Sequence, residues 1–325
     1  MVELPSSLSD DLVARIGAAA ERIRPHVLAT PLVPSLASGE ATGANVWLKC
    51  ENQQLTGSFK LRGATNCLLT LDEAERRVGV VAASSGNHGI AVSWAGRALG
   101  VPVTVFVPEA ASPVKVAAMR RLGADVRAFG TDGLDTEIEA RRVAAETGRP
   151  YVSPYNDPVV VAGQGTVAVE LRKQLPDVEV VVVAVGGGGL IGGMAIDLKH
   201  HLPHVRIIGA VPTHSPVMAA SVRAGRIVEM PTQPTLSDGT AGGIEEGSIT
   251  FEICRDLVDD WVEVPEDAIA LAMRHCIEQE HMLVEGSAGV AVAALSQVGE
   301  SLRGRTVAIV LCGANVSIET LRAVP

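Results

Sequence analysis

Short apolar runs alternate with helical stretches along most of the chain, and this alternation constrains the fold more than any other feature. The runs lie at residues 78–83, 101–108, 124–129, 178–185, 205–211 and 306–312. They are apolar on both faces rather than on alternate residues, which is typical of parallel strands covered by helices. The pattern predicts an α/β fold with open, twisted and mostly parallel sheets flanked by helices.

The apolar runs form two groups, one around residues 78–130 and the other from about residue 178 onward. A chain of 325 residues is long enough for two domains at ~150 residues each. No linker or low-complexity segment separates the groups. We therefore predict a large domain made of residues 1–70 and 155–325, with a small domain of residues 71–154 inserted in it.

Composition and charge exclude several classes of protein. Hydrophobic residues make up 47% of the chain and charged residues 20%, which excludes disorder. The net charge is -10 and the basic residues are scattered, so neither a nucleic acid nor an anionic membrane is an expected partner. No run reaches the roughly 18 apolar residues of a membrane span, and the N-terminus lacks a signal-peptide pattern. We therefore expect a cytoplasmic location.

Metal and disulfide chemistry are not expected either. The five cysteines form no C-x-x-C pair and are odd in number, which indicates reduced thiols rather than a disulfide framework. The cysteines and histidines also lack the spacing of zinc ligands. We therefore predict no metal site.

The segment VVVAVGGGGLIGG, residues 181–193, carries the strongest glycine signal. A predicted strand ends in four glycines, and a helix is expected from about Leu190: Gly186, Gly187, Gly188 and Gly189. Glycines let the backbone approach an anion closely, and a helix N-terminus offers free N–H groups and a positive dipole. Four consecutive glycines exceed the needs of a tight turn, so the segment indicates a phosphate site.

The same glycines also satisfy G-x-G-x-x-G, the pattern of a nicotinamide dinucleotide site. Such a site requires an acidic residue at the end of the next strand, about 20 positions on, to bind the ribose. Val211 stands there. A single phosphate therefore fits better than a pyrophosphate.

The loop SSGNHG places Ser84, Ser85, Asn87 and His88 between a predicted strand and a helix. Hydroxyl, amide and imidazole groups at a helix N-terminus bind a carboxylate or another small anion. The alternative is a plain N-cap by Ser84 or Ser85, but a cap needs one such residue rather than four. We favour the ligand site.

Lys60 follows Thr-Gly-Ser-Phe where a helix is expected to begin. A lysine that attacks a carbonyl must be neutral, which requires partial burial. The alternative is an exposed lysine paired with Glu51 or Asp72.

Cys312 ends the last apolar run, at the same edge of the sheet as the loop of Gly186 to Gly189, and is therefore a candidate site residue. The alternative is a buried cysteine that packs as a small apolar residue.

In this order, SFK, SSGNHG, GGGGL and CGAN resemble the motifs of fold type II pyridoxal-phosphate enzymes, above all threonine and serine dehydratases and serine racemases. The stretches VAGQGTVAVE, LSDGTAGG and VEGSAG extend the resemblance over nearly the whole chain. It implies two sheets of the tryptophan synthase β type, pyridoxal phosphate as the cofactor, an amino acid as the substrate and a homodimer.

The resemblance also implies roles for individual residues. Lys60 holds the cofactor covalently and removes the Cα proton, and Ser85 can act as an acid or base on the opposite face. The implied cofactor-binding residues are Phe59, Lys60, Asn87, Gly186, Gly187, Gly188, Gly189, Leu190, Gly239, Glu285 and Cys312. The implied ligands of the substrate are Ser84, Ser85, Asn87 and His88.

The implied reaction converts a β-hydroxy amino acid, most simply threonine or serine, to a 2-oxo acid and ammonia. Alternatives are the same chemistry on threo-3-hydroxyaspartate, phenylserine or a hydroxyectoine-derived amino acid, serine racemisation, or ligand binding without catalysis. The amine of Lys60 argues against the last. Serine racemases carry metal-binding acids where this chain has Val211, Ser215 and Val217. A neutral Cys312 facing the ring nitrogen favours elimination over racemisation.

Overall fold

The computed structural model describes residues 6–322 and 324. In this part of the chain nine strands are found: β1 (Leu32–Pro34), β2 (Asn45–Lys49), β3 (Val80–Ala83), β4 (Val103–Val107), β5 (Asp125–Ala128), β6 (Val180–Ala184), β7 (Arg206–Pro212), β8 (Asp260–Val264) and β9 (Thr306–Val310).

The helices flank these strands. They are α1 (Ser6–Ile23), α2 (Leu36–Thr42), α3 (Lys60–Thr70), α4 (Glu73–Val78), α5 (Asn87–Leu99), α6 (Pro113–Arg121), α7 (Gly133–Thr147), α8 (Pro158–Gln174), α9 (Gly189–His201), α10 (Val217–Ala224), α11 (Ile249–Leu257), α12 (Glu266–Glu278), α13 (Gly286–Val298) and α14 (Ile318–Arg322). Short 3₁₀ turns occupy Glu51–Gln53, Asp238–Thr240 and Gly299–Leu302. No helix among the described residues is long and apolar enough to cross a membrane.

The described strands form two sheets. The larger has the order β1-β2-β9-β6-β7-β8, and the smaller has the order β3-β4-β5. All neighbouring strands are parallel except β1, which pairs antiparallel with β2 at one edge. The predicted fold class is therefore confirmed. The strands of the smaller sheet lie within residues 71–154, and the division into two domains stays a prediction.

Burial explains why the apolar runs become central strands. Every residue of β4 and of β6 is buried, because helices cover both faces of the sheet. β8, at the edge of the larger sheet, is only partly buried. Its sequence DWVEV carries acidic residues at the first and fourth positions, so it does not form a continuous apolar run and was not predicted as a strand.

One predicted run begins too early. Val78 ends α4 rather than starting a strand, and β3 begins at Val80. Asp72 and Glu75 form a capping box that starts α4, and Gly79 ends it with a φ of 81° that favours glycine. The local capping signals therefore outweigh the apolar character of Val78.

Candidate active site

A cavity of about 360 Å³ is lined in part by the loops that follow β3, β6 and β9. The carboxyl ends of parallel strands are where ligands bind in such sheets. The structure brings every predicted site residue to this cavity: Phe59, Lys60, Ser84, Ser85, Asn87, His88, Gly186, Gly187, Gly188, Gly189, Leu190, Gly239, Glu285 and Cys312.

Lys60 is the first residue of α3, and its backbone is fixed from the preceding turn. Ser58 forms a β-bridge with Gly313, and the N–H of Phe59 donates to the carbonyl of Cys312 over 3.1 Å. The Lys60 ammonium donates to the Pro154 carbonyl over 2.8 Å. Burial lowers the pKa of Lys60 to about 8, although the nearby groups of Cys312 and Glu285 oppose the shift. About a tenth of the amine is therefore neutral at pH 7, far more than for an exposed lysine.

The surface ion pairs considered for Lys60 do not form. The Glu51 carboxylate accepts from Arg62 over 2.8 Å, and Asp72 caps α4. Arg62 also reaches Glu170 over 2.7 Å, so the side of α3 away from the cavity is held by buried ion pairs. Lys60 is left to face the cavity.

The glycine loop forms a narrow cradle at the start of α9. Gly188 has a φ of 83° and precedes the helix without a side-chain cap, so the first helical N–H groups have no side-chain partner from the cap residue. A Cβ added to Gly187 would lie 2.4 Å from the Tyr155 ring, and one added to Gly186 would lie 2.9 Å from Thr240 Cα. Only glycine fits this close packing.

The SSGNHG segment, residues 84–89 and here called the serine loop, leaves the N-terminus of α5 without a side-chain cap. Gly86 is the N-cap residue and offers no side chain, so neither Ser84 nor Ser85 caps the helix. The Ser84 hydroxyl instead accepts from the N–H of Gly86 over 3.1 Å. The helix N-terminus and the Ser85 hydroxyl therefore face the cavity together, as an anion site requires.

His88 is buried and neutral. Its Nε2 lies 2.8 Å from the Val152 carbonyl, which can only accept, so Nε2 carries the proton. Burial lowers the pKa of His88 to about 3. Nδ1 has no partner among the described residues. Any anion bound at this loop is therefore held by N–H groups and hydroxyls and not by a charged imidazole.

Glu285, Asn87 and Asn315 form a closed ring of hydrogen bonds at the cavity wall. Asn87 Nδ2 lies 2.9 Å from both carboxylate oxygens of Glu285, and the backbone N–H of Asn315 donates to Oε2 over 3.1 Å. Asn315 Nδ2 donates to Asn87 Oδ1 over 2.6 Å. Burial raises the pKa of Glu285 to about 7 against these hydrogen bonds.

Cys312 is 3% exposed and lies beside this ring. Burial, followed by the neighbouring Glu285 carboxyl, raises the pKa of its thiol well above the usual range. Cys312 is therefore a neutral thiol near neutral pH. Cys312 is buried and also lines the cavity, so the two interpretations of this residue, a site residue and a buried apolar cysteine, are compatible.

Sequence reasoning missed several residues of the wall. Tyr155 packs against Gly187 and Gly189, and its hydroxyl accepts from the N–H of Glu245 over 3.0 Å. Asp238 also lines the cavity and accepts from Lys115 over 3.3 Å. An aromatic residue in the polar stretch SPYND was the available signal for Tyr155.

The positions at which metal-binding acids were sought hold no carboxylate. Val211 and Val217 are buried, and the Ser215 hydroxyl accepts from the N–H of Gly242 over 3.1 Å. Across residues 6–322 and 324, no group of three or more His, Cys, Asp or Glu side chains is placed to hold a metal ion.

Known proteins resemble this chain over most of its length. The family model "Pyridoxal-phosphate dependent enzyme" matches residues 23–313. The L-threonine ammonia-lyase of Thermotoga maritima is 43% identical over 90% of this chain and 72% of its own. A putative threonine dehydratase of Sinorhizobium fredii is 41% identical over 98% of this chain and 96% of its own. The structure of maize serine racemase superposes with a TM-score of 0.91 at 34% identity, covering 96% of this chain and 95% of that one.

Proposed function

The chain belongs to the pyridoxal-phosphate dependent enzymes, and we propose that it is a hydroxy-amino-acid ammonia-lyase of the threonine and serine dehydratase type. It uses pyridoxal phosphate and converts a β-hydroxy amino acid to a 2-oxo acid and ammonia. The observation that carries the proposal is Lys60, a partly buried amine of lowered pKa in the same cavity as an uncapped, glycine-rich helix N-terminus.

The residues present fit the cofactor. The cradle of Gly186 to Gly189 admits no Cβ, and α9 presents uncapped N–H groups to a phosphate. Lys60 supplies the amine for the aldehyde. Asn87 and Cys312 would hold the ring hydroxyl and the ring nitrogen. Phe59 and Gly239 would lie against the ring faces, with Leu190 beside the phosphate.

Bound pyridoxal phosphate supplies an aldehyde that condenses with amines and a ring that delocalises the charge left when a Cα proton is removed. Lys60 is prepared for two tasks by its pKa of about 8. In its neutral form Lys60 would hold the cofactor through its aldehyde, and as a free amine it would accept the Cα proton of the substrate. The Pro154 carbonyl, 2.8 Å from Nζ, orients the amine when it is free.

The substrate carboxylate is assigned to the serine loop. The open start of α5 offers N–H groups and a positive dipole, and Ser84, Ser85 and Asn87 add polar side chains. His88 adds no positive charge to this site, because its pKa of about 3 leaves the buried imidazole neutral. This assignment would leave the rest of the cavity wall to the substrate side chain.

The cavity favours an uncharged substrate side chain. Among the described lining residues, Lys60 is the only lysine or arginine, and it is assigned to the cofactor. The other ionisable groups of the wall include Asp238 and Glu285, which are acids. A second carboxylate would meet these acids, of which Asp238 is already paired with Lys115 over 3.3 Å, and would find no unassigned lysine or arginine among the described lining residues. The serine and threonine hydroxyl side chains fit this wall, and that of threo-3-hydroxyaspartate does not.

Serine racemisation is the second candidate. It requires an acid or base on the face opposite Lys60, and Ser85 lies in the cavity for that task. Cys312 argues against racemisation, because its thiol is neutral. A neutral partner would leave the ring nitrogen of the cofactor unprotonated, and the ring would then stabilise less negative charge. Elimination is therefore the main reaction, with racemisation as a side activity.

The assembly, the location and the domain division belong to the same proposal. The family resemblance implies a homodimer, and the cytoplasmic location is the expectation from the sequence. The inserted small domain is supported by the grouping of β3, β4 and β5 within residues 71–154. Size-exclusion chromatography with light scattering tests the dimer.

Cofactor attachment tests the proposal. The purified protein reconstituted with pyridoxal phosphate is expected to be yellow, and borohydride is expected to fix the cofactor on Lys60, as identified by peptide mass spectrometry. Lys60→Ala is expected to fold and to lose turnover by several orders of magnitude. A protein that stays colourless, or carries the label on another lysine, would refute the assignment.

A further inference from the structure

Glu285 occupies the N-cap position of α13 but does not cap it. Its backbone is extended, with φ −83° and ψ 167°, and no side-chain bond to the helix forms. Serine, threonine, asparagine and aspartate are the usual caps, because a short side chain reaches the first N–H groups. A longer carboxylate that leaves the helix start and lines the cavity breaks this local rule. Such departures are typical of functional sites.

The surroundings of Glu285 are shaped to receive its carboxylate. A Cβ added to Gly313 would lie 2.7 Å from the carboxylate carbon, so Gly313 gives the space that the group fills. The side chain is 3% exposed. Its hydrogen-bond donors come from two separate segments, Asn87 at the start of α5 and Asn315 after β9.

The ring of hydrogen bonds fixes the orientation of the Asn87 amide. A carboxylate only accepts, so Nδ2 of Asn87 must face Glu285, and Oδ1 accepts from Asn315. Asn315 is in turn oriented by the Thr56 carbonyl, which accepts from Nδ2 over 2.9 Å. One hydrogen on Asn87 Nδ2 can point between the two carboxylate oxygens. The second hydrogen then remains for a ligand in the cavity.

We propose that Glu285 is a positioning residue of the cofactor site, whose ionised carboxylate, together with Asn315, holds the Asn87 amide ready to donate to the cofactor. Protonation replaces one carboxylate oxygen by a hydroxyl, which turns part of this acceptor into a donor and weakens the hold on Asn87. Cofactor affinity thereby depends on the ionisation of Glu285. The inference rests on the cofactor placement proposed above and is independent of the substrate.

Charged and titratable groups from several elements face Glu285. Lys60 lies on α3, Cys312 follows β9, Asp238 lies in the 3₁₀ turn, and Lys115 lies on α6. Burial is the main cause that raises the pKa of Glu285, Asp238 adds to it, and Lys115 opposes it. The resulting value of about 7 places the change of ionisation within the range in which enzymes work.

The test compares the dissociation constants of pyridoxal phosphate from the apo forms of the wild type and Glu285→Gln, from about pH 5.5 to 8.5. The ratio of the two constants removes the pH dependence of the phosphate, which the proteins share. The pKa of Lys60, which the Glu285 charge raises, is measured in both proteins and its effect on the ratio is subtracted. We expect Glu285→Gln to bind about tenfold more weakly at the alkaline end. Below the pKa of Glu285 the ratio is expected to fall toward one, because the wild-type carboxyl is then neutral as well.

Glu280→Gln is the matched control. Glu280 is a largely buried acid five positions upstream that accepts from Ser35 over 2.5 Å and lies outside the cavity wall. Its variant is expected to bind the cofactor like the wild type at every pH. Asn315→Ala breaks the ring at another point, so it should weaken binding, and its effect should not add to that of Glu285→Gln.

The outcomes separate this inference from the proposed function. A wild type that does not bind pyridoxal phosphate would overturn both. A wild type that binds it, with a ratio that does not change with pH or with fully additive effects of the two variants, would overturn the role of Glu285 alone. If Glu285→Gln fails to fold, Asn315→Ala with wild-type affinity would overturn it equally.

Discussion

Gly188→Ala tests the phosphate cradle, and the structure gives the size of its effect. Gly188 has a φ of 83°, a conformation that costs an L-residue roughly 1–2 kcal/mol. The added Cβ would also lie 2.9 Å from Met218 Cε and 3.0 Å from Cys254 Sγ. Overpacking of this kind costs about 1–3 kcal/mol. The apo protein is therefore expected to lose about 3 kcal/mol of unfolding free energy.

Gly225→Ala is the control for the backbone alone. Gly225 follows α10 with a φ of 69°, and an added Cβ meets nothing within 4 Å. This variant is expected to lose only the roughly 1–2 kcal/mol of backbone strain. It should keep its affinity for pyridoxal phosphate, since Gly225 lies outside the cavity wall.

The assay is urea unfolding of both apo variants, followed by cofactor titration under native conditions. Gly188→Ala is expected to weaken cofactor binding at least about tenfold, because the crowded Cβ would displace the loop to which we assign the phosphate. The reasoning fails if Gly188→Ala is no less stable than Gly225→Ala, or if it binds the cofactor as tightly as the wild type does.

Four further predictions concern reaction type, metals, pH and the cavity rim. Cys312→Ser should preserve the ratio of 2-oxo acid to D-amino acid, whereas Cys312→Asp should raise the D-amino acid share in chiral chromatography, because a carboxylate favours a protonated ring nitrogen. EDTA should change activity little in a steady-state assay, and a large loss that magnesium reverses would contradict this. The pKa of Glu285 rises from 4.5 to about 7 on folding, so its stabilising contribution is present below pH ~4.5 and lost as pH rises through ~7. Glu285→Gln should therefore stabilise the apo protein by about 3 kcal/mol at alkaline pH, and by little in acid, in urea unfolding. Arg141→Gln removes the ion pair of α7 with Glu245, whose N–H donates to Tyr155 of the cavity wall, and should raise KM by loosening that wall. Arg142→Gln loses pairs only within α7 and should leave KM unchanged.

The sequence predicted those parts of the site that are encoded locally. The start of α5 at Asn87 and the glycine loop after β6 follow from residues that are adjacent in the chain. Local capping and turn chemistry decide such features, so a short window of sequence is enough to find them.

The contacts that the sequence did not reveal join distant segments. Asn87 and Glu285 are 198 positions apart, and no periodicity or motif predicts that their side chains meet. Tyr155 reaches the glycine loop for the same reason, through packing between separate elements. Strand β1, with three residues, was too short for its apolar pattern to be distinguished from a loop.

The most direct test of the proposed reaction is the release of 2-oxo acid and ammonia from a panel of β-hydroxy amino acids by the protein loaded with pyridoxal phosphate. We expect L-threonine or L-serine to give equal amounts of 2-oxo acid and ammonia, with little from threo-3-hydroxyaspartate. A loaded protein that releases no 2-oxo acid from either amino acid, or that acts best on the dicarboxylate, would contradict the account.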